Sequence, residues 1–123
     1  MESSKKAPSS NGTRRRANQV SGCPLTAALA AIGGKWKLII VYWLAESPKH
    51  FAALRREMSG VSQKVLTQQL RELVSDGIVD RHPLGAVPAR VEYSLTEYGR
   101  SILPLLEDIR VWGHGHIRHL TSE

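Results

Sequence analysis

A chain of 123 residues suits one domain with a short tail. Its 17 basic against 11 acidic side chains leave a formal charge of +6, a balance that favours a polyanionic partner. The single cysteine, Cys23, excludes an intrachain disulfide framework. No apolar leader marks a signal peptide, and the most apolar run, residues 38–45, is too short to cross a bilayer. The expectation is a soluble, cytoplasmic protein without a membrane partner.

The cation is unevenly placed. Lys5, Lys6, Arg14, Arg15 and Arg16 face Glu2 alone in residues 1–22, and residues 49–90 hold seven basic against four acidic side chains. Residues 1–21 are rich in Ser, Lys, Arg, Asn and Gly, with almost nothing to bury, and are expected to be a disordered basic tail. Order should begin at Cys23-Pro24, where proline suits a first helical turn, followed by an Ala-rich helix to residue 32. Gly33-Gly34 stops it. Residues 35–46 are apolar nearly all round and predict the central buried helix. Ser47-Pro48 ends that helix, and a third one spans residues 51–58. Ser59-Gly60-Val61 makes a tight turn before Ser62, a good N-cap.

Residues 62–76 form the most informative segment. Leu66, Leu70, Leu73 and Val74 share one side of a helical wheel; Lys64, Thr67, Gln68, Arg71 and Ser75 share the other. That polar stripe has two cations, three neutral hydrogen-bonding side chains and no carboxylate. An acid would be repelled by phosphate, whereas Gln, Thr, Arg and Lys can reach base edges in a DNA groove. Helix, short glycine turn, helix is the helix-turn-helix arrangement. Gly77 should close the second helix as its C′ residue. Strands are predicted at residues 78–82 and 90–95, joined by a loop with Pro83, Gly85 and Pro88. Because a lone hairpin is marginal in water, its apolar face should lie on the helices. Thr96 should cap a last helix to about residue 119, striped with Ile102, Leu103, Leu105, Leu106, Ile109 and Trp112. The fold class expected is α+β, mostly α.

This order of elements resembles a winged helix-turn-helix domain with a β-hairpin wing. Five local motifs narrow the resemblance: Cys23-Pro24; Ile32-Gly33-Gly34-Lys35-Trp36; Phe51-Ala52-Ala53-Leu54-Arg55; Gly60-Val61-Ser62 leading to Val65-Leu66-Thr67-Gln68-Gln69-Leu70; and the run from Pro88 through Arg90-Val91-Glu92-Tyr93 to Thr96. In that order they are similar to the HxlR-type transcriptional regulators of bacteria, over residues 23–113. The resemblance implies a homodimeric DNA-binding repressor or activator whose first and last helices form the dimer. It also implies, for some members, sensing of oxidants or electrophiles through a cysteine near the N-terminus. The implied limits are a tail at 1–21, a DNA-binding and dimerisation domain at 22–119 and a short tail at 120–123, in a protein acting on the nucleoid.

On this reading Ser62, Gln63, Lys64, Thr67, Gln68 and Arg71 form the recognition-helix contacts. Arg81, His82 and Arg90 at the base of the wing, with Lys35 and Lys37 at a helix start, are expected on backbone phosphates, the alternative being plain surface charge or hairpin support. Leu25, Leu29, Ile102, Leu105, Leu106, Ile109 and Trp112 are expected at a two-fold interface. Cys23 is the redox-sensing candidate, because helix N-terminal amides stabilise thiolate; its alternative is a small packing residue or weak N-cap.

Other chemistries find little support. Gly33-Gly34-Lys35 is not a phosphate loop, because Leu29 and Trp36 stand where glycine and Ser or Thr belong. Glu107 and Asp108 diverge on a helix. Of His114, His116 and His119 only the last two share a helical face, so no metal and no cofactor are expected, and no enzyme. The rival to DNA reading is a winged-helix protein-interaction module.

Overall fold

The computed structural model describes residue 20 and residues 22–85 and 90–122. The expected disordered tail falls almost wholly outside this range, as does the wing tip from Ala86 to Ala89. Six helices and three strands are described in chain order: α1 (Pro24–Ile32), α2 (Lys37–Glu46), β1 (Lys49–His50), α3 (Phe51–Glu57), α4 (Gln63–Ser75), β2 (Val79–Pro83), β3 (Val91–Leu95), α5 (Glu97–Arg100) and α6 (Leu103–Thr121). The fold is α+β, mostly helical, with a small antiparallel sheet ordered β1-β3-β2.

The core is assembled from one stripe of each helix. Ile40, Val41 and Leu44 of α2 meet Leu54 of α3, Leu66, Leu70 and Leu73 of α4, and Val79 and Leu95 of the hairpin. α2 lies at the centre and packs on β3, α3, α4 and α6. Its burial is nevertheless one-sided, for Ile39 and Tyr42 face outward. The hairpin register pairs Val79 with Leu95, Arg81 with Tyr93 and Pro83 with Val91. Its inner face is held on α2 and α4, as its marginal stability alone requires.

Two local features depart from expectation. Lys49 and His50 add a third strand, pairing with Tyr93 and Glu92 of β3. The last helix is broken: Thr96 caps only the four-residue α5, its oxygen accepting from the Gly99 N–H at 2.8 Å. Pro104 cannot donate to the Arg100 carbonyl, so the ladder lapses through Ser101 and Ile102 before α6 begins. Beyond that break α6 runs without interruption through Gly113 and Gly115 to Thr121. Gly99 is required at its position, because a Cβ there would strike the Ile78 carbonyl. Gly77, at φ 77°, ends α4 as expected.

Candidate nucleic-acid interface

α4 is built to present one face. Ser62 accepts from the Val65 N–H at 3.0 Å and so satisfies an orphan donor of the first turn. Leu66, Leu70 and Leu73 are at most 1% exposed and lock the helix onto the core. Gln63, Lys64, Gln68 and Arg71 consequently lie exposed on the other side, with Thr67 half-buried between the two.

One acid does stand on α4, and it is turned inward. Glu72 Oε1 lies 2.6 Å from Lys37 Nζ of α2, with side chains 14% and 6% exposed. Its other oxygen accepts from Gln68 Nε2 at 2.9 Å. The expectation that Lys37 touches DNA phosphate is therefore corrected: its ammonium is buried under the recognition helix and spent on Glu72. Lys35 remains exposed, its Nζ 4.7 Å from the Trp36 ring centre.

The hairpin brings further cations beside α4. Arg81 and Arg90 are exposed, and the Leu84 N–H donates to the Arg90 carbonyl at 2.6 Å, closing the wing's base. His82 is exposed too, its Nε2 3.2 Å from Ser94 Oγ across the strands. Arg71 and Arg81 share the rim of a hollow of about 240 Å³, floored by Leu70 and Val74 with Tyr93. Two separate sequence positions thus bring arginines to the lining of one hollow. A second hollow, of about 500 Å³, joins Arg55 and Arg56 of α3 to Gln63. Arg55 Nε is engaged with the Val61 carbonyl at 3.3 Å. Arg56, exposed beside Gln63, is a phosphate candidate that the stripe of α4 could not reveal; its signal was the adjacent arginine pair before the turn.

Elsewhere, α1 and α6 carry exposed apolar side chains. Leu25 and Leu29 of α1 are exposed, as are Leu105, Ile109 and Trp112 of α6. Ile102 and Leu106, expected at an interface, are partly buried against this chain's own core. Leu106 and Ile109 also line a groove of about 650 Å³ between α2 and α6 with Leu38, Ile39, Tyr42 and Ile117. On the exposed face of α6 the Trp112 and His116 rings stack at 4.9 Å and those of His116 and His119 at 6.2 Å. Among the described residues no group of three or more His, Cys, Asp or Glu could hold a metal. No single described helix is long and apolar enough to cross a membrane.

Cys23 is the N-cap of α1 and its thiol is exposed. Hydrogen bonding from the Thr26 side chain, then from the Thr26 backbone, holds its pKa below the ordinary thiol value against an opposing desolvation, with a lesser contribution from the Leu25 backbone.

Known proteins carry the same architecture. A family model described as HxlR-like helix-turn-helix matches residues 31–121. The HTH-type transcriptional regulator YybR of Bacillus subtilis (strain 168), itself uncharacterized, is 45% identical over 95 residues, covering 77% of this chain and 76% of YybR. A crystal structure of the HTH-type regulator ytcD superposes with a TM-score of 0.74 at 45% identity, covering 78% of this chain and 98% of the other. The redox regulator HypR in its reduced form gives 0.76 at 42% identity, over 82% of this chain and all of that one. Its oxidized form gives 0.71 at 45%, over 76% and 96%.

Proposed function

The chain belongs to the HxlR-like helix-turn-helix family and is a transcriptional regulator rather than an enzyme; from that premise we propose that it works as a homodimeric repressor on an inverted-repeat operator. Each subunit inserts α4 into the major groove. One observation carries this reading: α4 commits its apolar stripe to its own core and turns Lys64, Gln68 and Arg71 outward, while its acid is drawn inward onto Lys37. Gln63, Lys64, Thr67, Gln68 and Arg71 then approach base edges or flanking phosphates, and the amides of the first turn beside Ser62 favour a phosphate. Lys35, Arg56, Arg81 and Arg90 neutralise the backbone on either side, and His82 can hydrogen-bond to it. The paired arginines at 71 and 81 suit the phosphate that lies between major groove and wing.

The dimer follows from surface left uncovered. Leu25, Leu29, Leu105, Ile109 and Trp112 form an apolar side that a second copy would cover about a two-fold axis. Half-sites would then lie about one helical turn, or a multiple, apart. A dimer seated on such a site within a promoter blocks polymerase, and its place of action is the cytoplasmic nucleoid.

Fragments selected from the source genome supply the test. On a selected operator Gln68→Ala should cost about 1–3 kcal/mol while leaving random DNA nearly unaffected. Binding should weaken steeply with salt as counterions are released. Equal losses on both DNAs would reduce Gln68 to a positioning contact. Failure to select any fragment would favour a protein partner for this face.

A second reading concerns the input. The exposed Cys23 thiol, its pKa held below the ordinary thiol value, and the likeness to a regulator solved in reduced and oxidized forms support control by thiol-reactive oxidants. Peroxide would pass one oxygen to the thiolate, leaving as water, and a second thiol would displace hydroxide from the sulfenic acid to form a disulfide. That second thiol comes from the partner subunit or a small molecule, because the chain has one cysteine. Operator release by diamide in wild type, abolished in Cys23→Ser, is the expected result; an unchanged response would end this reading.

A further inference from the structure

The chain of contacts from Lys37 through Glu72 to Gln68 does more than fasten two helices. A carboxylate can only accept hydrogen bonds, so the edge of the Gln68 amide that faces Glu72 must be its NH2. The orientation of a glutamine amide is otherwise ambiguous, but here the chemistry of the neighbour decides it. Glu72 is itself held, because Lys37 grips its other oxygen from a position only 4% exposed. The NH2 end of the exposed Gln68 amide is therefore tied to a partly buried ion pair anchored on α2. What it offers outward is its carbonyl oxygen and its one remaining N–H.

We infer that Glu72 is a positioning residue that sets base preference, by holding the Gln68 amide with its oxygen outward so that it selects a base bearing an amino group. This rests on α4 entering the major groove. Adenine presents its N6 amino donor beside the N7 acceptor, which matches the amide oxygen and the remaining N–H together. Cytosine presents the N4 amino group alone. Guanine offers only the acceptors O6 and N7, so the amide oxygen finds no donor there and only the one remaining N–H can bond. A glutamine able to turn over would serve guanine equally, by aiming both N–H groups at it. Glu72 prevents that turn without touching DNA.

The substitution Glu72→Gln should reverse the preference. Lys37 demands an acceptor, so the new amide would give it the oxygen and turn its NH2 toward Gln68. Gln68 would then rotate to accept, presenting its own NH2 to the groove. Selection from a random duplex library would read the outcome, with Gln68→Ala identifying the affected position by flattening it. At that position wild type should favour adenine or cytosine over guanine by about tenfold, within the range of a good side-chain-to-base contact. Glu72→Gln should favour guanine by a similar factor. A wild-type preference retained in folded Glu72→Gln protein would overturn the inference.

Should Glu72→Gln fail to fold, the double variant Lys37→Met with Glu72→Leu removes both charges together, which buried pairs generally tolerate. Its Gln68 is released, and discrimination between adenine and guanine should vanish at that position alone. Persistence of the preference there would equally refute the coupling. A measurement without DNA separates failure of the coupling from failure of groove reading. In the free protein one Gln68 side-chain amide proton should show the shift of a hydrogen bond to carboxylate, lost in the double variant. Its absence in wild type refutes the coupling; its presence, with no position flattened by Gln68→Ala, refutes groove reading by this residue.

Discussion

α4 and α6 are both amphipathic, yet they stand in opposite relations to the rest of the chain. α4 buries Leu66, Leu70 and Leu73 to within 1% of complete enclosure and leaves a polar face to the solvent. α6 is the longer helix and has no fully buried residue; only Leu103, Leu106 and the preceding Ile102 reach the core, while Trp112, Ile117 and Leu120 stay more than half exposed. The apolar stripe of α4 has done its work inside one subunit, so what remains of that helix is available for a different kind of partner. The stripe of α6 is unspent, and at about 25 cal/mol per Å² of apolar surface it is a standing cost until something covers it. One chain thus leaves two helices open in different ways, α4 by a hydrogen-bonding and cationic face, α6 by uncovered apolar side chains.

The same apolar substitution should then have different consequences in the two helices. Leu70→Ala removes a side chain 1% exposed, and we expect a loss of about 2–5 kcal/mol in chemical denaturation, from lost transfer energy and a residual cavity. Operator affinity should fall only as far as the folded fraction falls. Ile109→Glu should do the reverse. Its side chain is 42% exposed in the single chain, so the folded subunit should keep its unfolding midpoint at low concentration. Self-association should weaken about a hundredfold, because a two-fold axis applies the lesion twice and each apolar side chain contributes about 1.5 kcal/mol when buried. Sedimentation across a concentration series checks it. If Ile109→Glu unfolds the subunit while leaving the dimer constant unchanged, the contrast between the two helices is wrong.

This contrast also explains what could be read before any coordinates. α4 was legible because its signals coincide: a 3.6-residue apolar stripe, Ser62 at the N-cap and Gly77 beyond the end. Its neighbours Thr67, Gln68 and Arg71 fell where the wheel put them. The break between α5 and α6 was hidden because the apolar period of Ile102, Leu105, Leu106 and Ile109 starts directly after the turn capped by Thr96, and Pro104 is tolerated in the new first turn. β1 is two residues long and shows no alternation, since its pairing is imposed by β3. Lys37 misled for a similar reason. A lysine at a helix start reads as surface charge, and only the tertiary approach of α2 to α4 reveals that Glu72, three turns along another helix, claims it. Patterns along one element report which face is apolar; they do not report which element arrives on the other.

The smallest effect belongs to α1, the other helix with uncovered leucines at Leu25 and Leu29. Cys23 caps it in the open, and Thr26 with the first amides favours the thiolate. A lowered pKa means that the ionised, nucleophilic form persists to lower pH than in an unfolded chain. Alkylation by iodoacetamide, in which the thiolate displaces iodide, should therefore lose its rate at a lower pH in native protein than in urea-unfolded protein. Thr26→Val deletes the foremost cause and should move the native midpoint upward, toward the unfolded one, while the backbone amides keep part of the difference. Coincident midpoints for native and unfolded chains would show that α1 does not activate its cap. A native midpoint unaffected by Thr26→Val would assign the activation to the amides alone. If the midpoint also moves with protein concentration, the apolar side of α1 is being covered as the chain self-associates, and the cysteine reports on the surface that α6 leaves unfinished.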